Sequence, residues 1–236
     1  ILIPYYLTKD MNESQQRKKL SEHLKRFDLF GWEPRLDLSD DENFMDMVML
    51  ITRNSFCLQG HMGCVIIDHK ICKRKENGIT EESESMLYDR ILDSLIGVST
   101  NSPLFSNLDS DIHAEIGALG QASKRGNKTD GCTAYITMPP CKRCFAALLS
   151  SGIIRIVSRQ AAPKSILDVA RKHGIEMVDF SNVAAEQNNR INQLTNMGTG
   201  STGKKTSDQI KRIEESKKRK KLEKEARKEK ARLKSP

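Results

Sequence analysis

Short apolar segments alternate regularly with helical segments between residues 112 and 194, and this alternation constrains the fold more than any other feature of the chain. Their β-branched content and two-residue alternation mark the apolar segments as strands, whereas the intervening segments repeat apolar residues at helical spacing. Strands joined by single helices run parallel, so this part predicts a parallel sheet flanked by helices. The predicted strands span residues 132–138, 153–157 and 175–178, and the predicted helices span residues 112–122, 140–149, 163–173 and 183–194.

Two further strands are predicted in the first half of the chain, which makes the sheet five-stranded and mixed. The apolar segment 63–67 is typical of a buried strand, and we expect residues 70–77 to form its hairpin partner, ending at Asn77. A buried helix precedes this hairpin and ends near Arg53, and an amphipathic helix follows it over residues 80–97. The sequence therefore predicts an α/β fold, a three-layer α/β/α sandwich around a five-stranded mixed sheet.

The basic surplus of the chain is confined to its end. Residues 204–236 hold fifteen Lys or Arg and six Asp or Glu, a net charge of +9, whereas the whole chain carries +8 and residues 1–203 therefore carry −1. A linker rich in Gly, Ser and Thr precedes this basic tail. We therefore predict a helical extension over residues 1–40, one folded domain over residues 41–196, and a linker with the basic tail over residues 197–236.

Charge and hydropathy exclude several classes of function for the folded domain. A domain that binds polynucleotide through its phosphates usually carries a basic surplus, which residues 1–203 lack. No run of eighteen apolar residues is present and the mean hydropathy is −0.55, so no membrane span is expected. The chain start lacks the basic region of a secretory signal, and six cysteines in 236 residues do not argue for a disulfide framework.

One set of residues has the composition and spacing of a zinc site. Cys141 and Cys144 are three residues apart at the start of a predicted helix, so both thiolates can meet one ion. His113 stands at the start of the preceding helix and supplies a third ligand, which leaves one position of a tetrahedral site open for water. Zinc lowers the pKa of such a water toward neutrality, and Glu115 is placed beside it to move protons.

A closed structural zinc site is one alternative, but it needs a fourth protein ligand and gives Glu115 no role. A non-catalytic assembly module built on the same metal site is a further alternative. The other four cysteines are predicted to be core residues, because free cysteine is among the most buried residue types. They are Cys57, Cys64, Cys72 and Cys132.

The H-x-E motif at residues 113–115 and the P-C-x-x-C motif at residues 140–144 together resemble the signature of the zinc-dependent cytidine/deoxycytidylate deaminase superfamily. Residues 131–136, before the cysteines, and residues 148–153, after them, are similar to its dCMP deaminase branch. The resemblance covers residues 41–182 and implies a cytidine deaminase-like fold with Zn²⁺ as cofactor. Members of this superfamily commonly assemble, so a homo-oligomer is expected.

The resemblance implies hydrolytic deamination at C4 of the cytosine in a free deoxycytidine nucleotide, dCTP or dCMP. Glu115 would take a proton from the attacking water and deliver protons to N3 and to the departing ammonia. The backbone of Ala114 and Pro139 would contact the pyrimidine edge, and Asn77 would hold the sugar. Candidate phosphate contacts are Lys73, Arg74 and Lys75.

A deaminase acting on a base in RNA or DNA, such as a tRNA adenosine deaminase or an APOBEC-like editor, is the competing function. It would share the zinc site and use the basic tail for affinity. The nearly neutral folded domain and the aromatic content of 5% disfavour a polynucleotide, because single strands bind through phosphate contacts and base stacking. We therefore predict a small-molecule nucleotide, and we expect residues 79–112 to close over the site and exclude a neighbouring nucleotide.

The basic tail has the spacing of a bipartite nuclear import signal. Two basic clusters are separated by eleven residues, which predicts an import receptor as partner and residence in both nucleus and cytoplasm. A solubilising or nucleic-acid-attracting tail is the alternative. The spacing of Leu20, Leu24, Phe27 and Leu29 suits an export signal, and it is equally typical of an amphipathic helix packed on the domain. The basic residues of the import signal are Lys204, Lys205, Lys217, Lys218, Arg219, Lys220 and Lys221.

Overall fold

Strands and helices alternate through most of the part of the chain that the structure describes. The computed structural model describes residue 24 and residues 26–57, 60–72, 82–105 and 109–197. The strands are β1 (Gly63–Ile67), β2 (Leu95–Thr100), β3 (Thr133–Ile136), β4 (Arg155–Ser158) and β5 (Glu176–Asp179). The helices are α1 (Asp40–Thr52), α2 (His69–Cys72), α3 (Glu84–Ser94), α4 (Ala114–Lys124), α5 (Lys142–Ser150), α6 (Lys164–Lys172) and α7 (Ala184–Met197). None of these described helices is both long and apolar enough to cross a membrane.

The five strands form one mixed sheet with the order β2-β1-β3-β4-β5. Strand β1 pairs antiparallel with both β2 and β3, whereas β3, β4 and β5 are parallel to one another. Because β1 opposes both of its neighbours, β2 points in the same direction as β3. Strands β2 and β3 to β5 therefore all have their C-terminal ends on the same side of the sheet. We name this side, where those strands end, the carboxyl edge. The predicted five-stranded mixed sheet and its three parallel last strands are confirmed.

The second strand of the sheet does not lie where the sequence indicated. Residues 70–72, which were predicted to start a hairpin strand, belong to the short helix α2. The Asp68 carboxylate favours this turn because it accepts a hydrogen bond from the Lys70 N–H at 2.9 Å. The strand that takes the predicted hairpin position beside β1 is β2, in which Val98 lies opposite Val65. The helix predicted to run through residue 97 ends at Ser94, and the strand begins at Leu95. The sequence concealed this boundary because Leu95 continues the apolar spacing of the helix.

The middle of the segment 79–112 forms β2, the outermost strand of the sheet. The expectation that this segment closes over the site is therefore wrong for the residues of β2. All but one of its residues are buried. Its outer edge is partly covered by side chains from the end of α4 and the following turn. Gln121 Oε1 accepts from the Val98 N–H at 3.4 Å, and Asn127 Nδ2 donates to the Ile96 carbonyl at 3.2 Å. Covering these groups protects the edge from pairing with another strand.

Two apolar clusters cover the two faces of the sheet and produce the three layers. Side chains along β3 alternate between the clusters: Tyr135 belongs to one, and Ala134 and Ile136 belong to the other. Helices α1, α3 and α7 pack in the first cluster, together with Trp32 from the predicted N-terminal extension. Helices α4, α5 and α6 pack in the second cluster. The predicted α/β/α sandwich is therefore present.

A partly buried charged network fixes the start of α1 to the edge of the sheet opposite the carboxyl edge. Asp41 accepts a hydrogen bond from the Tyr135 hydroxyl at 2.6 Å and two from Arg155 at 2.8 and 2.7 Å. Burial raises the pKa of Asp41, but the hydrogen bonds from Arg155 and Tyr135 outweigh burial and leave that pKa below its usual value. Burial, followed by the charge of Asp41, raises the pKa of the Tyr135 hydroxyl, so the phenol stays protonated and donates.

Helix α4 approaches β2 with almost no side chain between them. A Cβ atom at Gly97 would collide with the backbone carbonyl oxygen of Ala118, and a Cβ atom at Gly117 would collide with Ser99 Oγ. Glycine at these two positions therefore permits the close contact between the helix and the strand. This contact determines where the first turn of α4 lies relative to the carboxyl edge.

We predict that Gly97→Ala destabilises the fold by about 1–3 kcal/mol, the usual cost of overpacking a close contact. The atoms in the way belong to the backbone of α4 and cannot rotate aside. Gly120→Ala is the matched control, because Gly120 lies on the exposed face of the same helix with open space around it. Its change should be neutral or stabilising by up to about 1 kcal/mol. Thermal unfolding of both variants checks this, and equal midpoints would contradict the close contact.

Candidate active site

Two helix N-termini meet at the carboxyl edge and bring the predicted metal ligands together. His113 is the N-cap of α4, and its carbonyl accepts a hydrogen bond from the Gly117 N–H at 3.0 Å. Cys141 is the N-cap of α5, and its sulfur accepts from the Cys144 N–H at 3.5 Å. The Cys141 carbonyl also accepts from the Phe145 N–H at 2.8 Å. Both cysteines therefore lie on one side of the first turn of α5.

The three predicted ligands are arranged as a tetrahedral zinc site requires. The Nδ1 atom of His113 lies 3.3 Å from the Cys144 sulfur and 3.8 Å from the Cys141 sulfur. All three ligand atoms lie within 4.8 Å of one another. Ligand bonds of ordinary length at tetrahedral angles would separate nitrogen and sulfur by about 3.6 Å. The donor set therefore fits Zn²⁺, and the solvent exposure of His113 and Cys141 leaves access from one side.

Glu115 is buried beside this cluster. It is the second residue of α4, and its side chain is 7% exposed. Burial raises the pKa of its carboxyl above the usual value, while its own backbone N–H, His113 and the Cys144 thiol act against that shift. Burial and then the Glu115 carboxylate raise the pKa of the Cys144 thiol. A bound cation would oppose both shifts, because it stabilises thiolate and carboxylate.

The two residues predicted to contact the pyrimidine edge lie at the same end of the sheet. Ala114 is the buried first residue of α4, and Pro139 is a half-buried residue in the turn between β3 and α5. This turn is held to the start of β1 by two hydrogen bonds. Thr137 Oγ1 accepts from the Gly63 N–H at 3.1 Å, and the Thr137 N–H donates to the Gly63 carbonyl at 3.2 Å. The segment that leads to Cys141 is therefore fixed by the sheet.

Several predicted contacts lie outside the described residues. They are the sugar contact Asn77, the phosphate contacts Lys73, Arg74 and Lys75, and the seven basic residues of the import signal between positions 204 and 221.

The described residues that flank the segment 73–81 are anchored far from the metal ligands. Arg90 donates to the Cys72 carbonyl at 2.6 Å and to the Glu82 carboxylate at 2.7 Å. The same guanidinium pairs with Asp40 at 2.8 Å. Asp40 is the first residue of α1, so this anchor lies near the edge opposite the carboxyl edge.

Sequence analysis missed Asn101, which directly follows β2. Its side chain is fully buried, and its Nδ2 atom donates to the Gly60 carbonyl at 2.8 Å. Its Oδ1 atom accepts from the Met62 N–H at 2.9 Å and from the Ser55 hydroxyl at 2.7 Å. The available signal was an asparagine immediately after a run rich in β-branched residues. The signal was not recognised, because the sequence pattern had placed this run partly in a helix and partly in a loop.

The remaining cysteines are core residues, as predicted. All six cysteines of the chain are free thiols, so none forms a disulfide. The four outside the metal cluster are at most 2% exposed: Cys57, Cys64, Cys72 and Cys132.

A cleft of about 750 Å³ opens at the edge opposite the carboxyl edge. Its lining includes Asp37, His69, Glu176 and the paired residues Asp41 and Arg155. The cleft lies at the first residues of β3, β4 and β5, whereas the metal ligands follow the last residues of β2 and β3. The cleft and the three predicted metal ligands therefore lie at opposite ends of the strands.

Comparison with known proteins identifies the same region of the chain. The family model for the cytidine and deoxycytidylate deaminase zinc-binding region matches residues 38–160. The deoxycytidylate deaminase of Enterobacteria phage T4 is 34% identical over 86 residues, which cover 35% of this chain and 43% of that protein. The tRNA-specific adenosine deaminase of Buchnera aphidicola is 37% identical over 67 residues, covering 28% of this chain and 44% of that protein.

A solved structure, the dCMP deaminase of cyanophage S-TIM5 in apo form, is 20% identical with a TM-score of 0.45, and the match covers 60% of this chain and 99% of that one. The chain spans less than half the length of the two curated relatives. The family model nevertheless covers more than half of the chain, and its range contains all six residues discussed for the zinc site and the pyrimidine contacts. The chain therefore belongs to the cytidine and deoxycytidylate deaminase zinc-binding family.

Proposed function

We propose that the protein is a zinc-dependent hydrolase that deaminates the cytosine of a free deoxycytidine nucleotide. Water adds at C4, the exocyclic amine leaves as ammonia, and the product is the deoxyuridine nucleotide. The observation that carries this proposal is the buried Glu115 carboxylate beside a three-ligand metal cluster that is exposed on one side. A structural zinc site would have no use for a carboxylate in that position.

The chemistry divides between the metal and the residues around it. Bound zinc with three protein ligands lowers the pKa of a water molecule toward neutrality and so supplies the nucleophile. Glu115 would transfer both protons of the attacking water, the first to N3 and the second to the exocyclic amine, which then leaves as ammonia, and a positioned group of this kind contributes about two to four orders of magnitude in rate. No fourth described His, Cys or carboxylate joins His113, Cys141 and Cys144, which agrees with an open coordination position.

The backbone around the metal supports recognition of a pyrimidine. Ala114 and Pro139 come from the two segments that carry the metal ligands, so their amide groups lie near the reacting ring. Family resemblance assigns the sugar contact to an asparagine at the end of the second strand. That strand is β2, so we propose Asn101 for this position instead of Asn77, acting through the segment at residues 60–62 that it holds.

A nucleotide substrate is favoured over a polymer by charge and by relatives. Residues 1–203 carry a net charge of −1, whereas binding a strand requires many neutralised phosphates. The T4 relative is named a deoxycytidylate deaminase. We propose dCMP and dCTP as equal candidates, because the candidate phosphate contacts at residues 73–75 lie outside the described residues. The homo-oligomer expected from the resemblance is part of this proposal.

The metal assignment predicts that Cys141→Ala loses bound zinc. Removing one of three protein ligands weakens the site, so the zinc content should fall from about one ion per chain to a small fraction. Cys132→Ala is the matched control, because Cys132 is a buried thiol just before β3, remote from the cluster. Elemental analysis of both purified variants checks this. A zinc content of about one ion per chain in Cys141→Ala would show that Cys141 is not a zinc ligand.

The substrate is tested by turnover of cytidine, dCMP, dCTP and a cytosine-containing single strand at moderate salt, with ammonia and uracil product as readouts. We expect turnover of dCMP or dCTP and little of the oligonucleotide. Rapid turnover of the oligonucleotide with none of the free nucleotides would overturn the nucleotide proposal and favour nucleic-acid editing.

Glu115→Gln is the control for that assay, since it preserves the shape of the side chain and removes its basicity. Its turnover should fall by about two orders of magnitude or more with zinc retained. Near-normal turnover of Glu115→Gln would show that another residue moves the protons.

We also propose that the basic tail directs nuclear import and takes no part in catalysis. The charge of +9 over residues 204–236 and the two spaced basic clusters support this role. A chain that ends at residue 197 should turn over nucleotide at the parent rate and become cytoplasmic in cells. Replacing the basic residues 217–221 by alanine should have the same effect on location. Nuclear accumulation of both variants would refute the import role, and loss of turnover in the shortened chain would place the tail in the active protein.

A further inference from the structure

A polar network that no metal ligand belongs to lies behind the carboxyl edge. Ser55, three residues after α1, donates a hydrogen bond from its hydroxyl to Asn101 Oδ1 at 2.7 Å. Asn101 in turn holds both sides of His61, through Gly60 and Met62. The Asn101 N–H also donates to the Met62 carbonyl at 3.1 Å. One buried side chain therefore connects the end of α1, the approach to β1 and the end of β2.

The orientation of the Asn101 amide is fixed by the chemistry of its partners. The Met62 N–H can only donate and the Gly60 carbonyl can only accept, so Oδ1 must face Met62 and Nδ2 must face Gly60. The Ser55 hydroxyl fills the second acceptor position of Oδ1. Of the two N–H groups on Nδ2, one is used by Gly60, and the other has no acceptor among the described residues.

The network reaches two of the three metal ligands, His113 and Cys141, through short backbone connections. Ser102, the residue after Asn101, exchanges hydrogen bonds with Ile112 at 2.9 and 3.0 Å, and Ile112 directly precedes His113. On the other side, Met62 is followed by Gly63, which is bonded to the turn that leads to Cys141. A shift of the Asn101 amide would therefore be transmitted to the segments on both sides of the substrate.

We propose that Ser55 is a positioning residue for substrate binding, which acts by holding the Asn101 amide and through it residues 60–62. This inference rests on the proposed function, because it assigns Ser55 to the pocket in which the nucleotide would be deaminated. The described hydrogen bonds of Ser55 join it to Asn101 and Cys57 and not to a metal ligand or to Glu115. Its oxygen also accepts a hydrogen bond from the Cys57 N–H at 3.3 Å, so the KM for the nucleotide is the measurement that separates orientation of the Asn101 amide from support of this turn.

Ser55→Ala is the variant that isolates this role. It leaves Asn101 Oδ1 with the Met62 N–H but removes the acceptor of the Cys57 N–H, which donates to Ser55 Oγ at 3.3 Å, so the melting temperature should fall modestly while the chain still folds. We expect the KM for the nucleotide to rise about fivefold to tenfold, the effect of one lost neutral hydrogen bond at about 1–1.4 kcal/mol, with kcat within about a factor of two and zinc content unchanged. The exchange of the Met62 amide hydrogen should accelerate, because the acceptor that protects it becomes less fixed.

Ser55→Thr and Ser165→Ala are the controls. Ser55→Thr retains the hydroxyl and should restore the KM and the protection of Met62. Ser165 is an exposed serine of α6, and its replacement should change nothing. A lower melting temperature of Ser55→Ala with an unchanged KM would show a merely structural role and overturn the inference, as would an unchanged rate of Met62 exchange. Absence of turnover by the parent protein on every cytosine nucleotide would instead defeat the proposed function, and this inference would fall with it.

Discussion

The close contact between α4 and β2 is the constraint on which the position of the active site depends. A helix that carries ordinary side chains against a sheet lies farther from it than a helix that meets it through Gly97, Gly117 and Ala118. His113 is the N-cap of this helix, so the distance between the helix and the sheet determines where the imidazole lies relative to the cysteines on α5. Glu115 is buried for the same reason, since the first turn of α4 is pressed against the strands below it.

The direction of the strands explains why the ligands meet at one edge. Strand β1 is antiparallel to both neighbours, so β2 and β3 point the same way although they are far apart in sequence. The segments that follow them lead to His113 and to Cys141. In α/β sheets, ligand sites form beyond the carboxyl ends of strands where the connections diverge. The connections after β2 and β3 are such a place, and the opposite edge instead contains acidic groups that are already paired with Arg90 and Arg155.

The sequence predicted the parts of the fold in which local pattern and tertiary role agree. Strands β3, β4 and β5 and the helices between them were found because each has an unbroken period, and the zinc ligands were found because spacing alone brings Cys141 and Cys144 together. The second strand was misplaced because Leu95 fits both the helix before it and the strand it begins. Pairing with β1 decides between the two, and that pairing is a long-range contact that no local period contains. Asn101 was missed as a consequence, since its meaning depends on where the strand ends.

Carboxyl groups at the two ends of the sheet differ in their partners and in the direction of their pKa shifts. This difference indicates at which end a carboxyl group is available for proton transfer. At the opposite edge, Asp41 is partly buried and receives three hydrogen bonds from Tyr135 and Arg155, so its charge is satisfied within the protein and its pKa is lowered. At the carboxyl edge, Glu115 is buried with its pKa raised, beside the Cys144 thiol and with no guanidinium paired to it among the described ion pairs. A fold gains no stability from an unpaired buried carboxyl, because its desolvation is not repaid. A metal ion and a substrate would supply at the carboxyl edge the charged partners that arginine supplies to the acidic groups at the other edge.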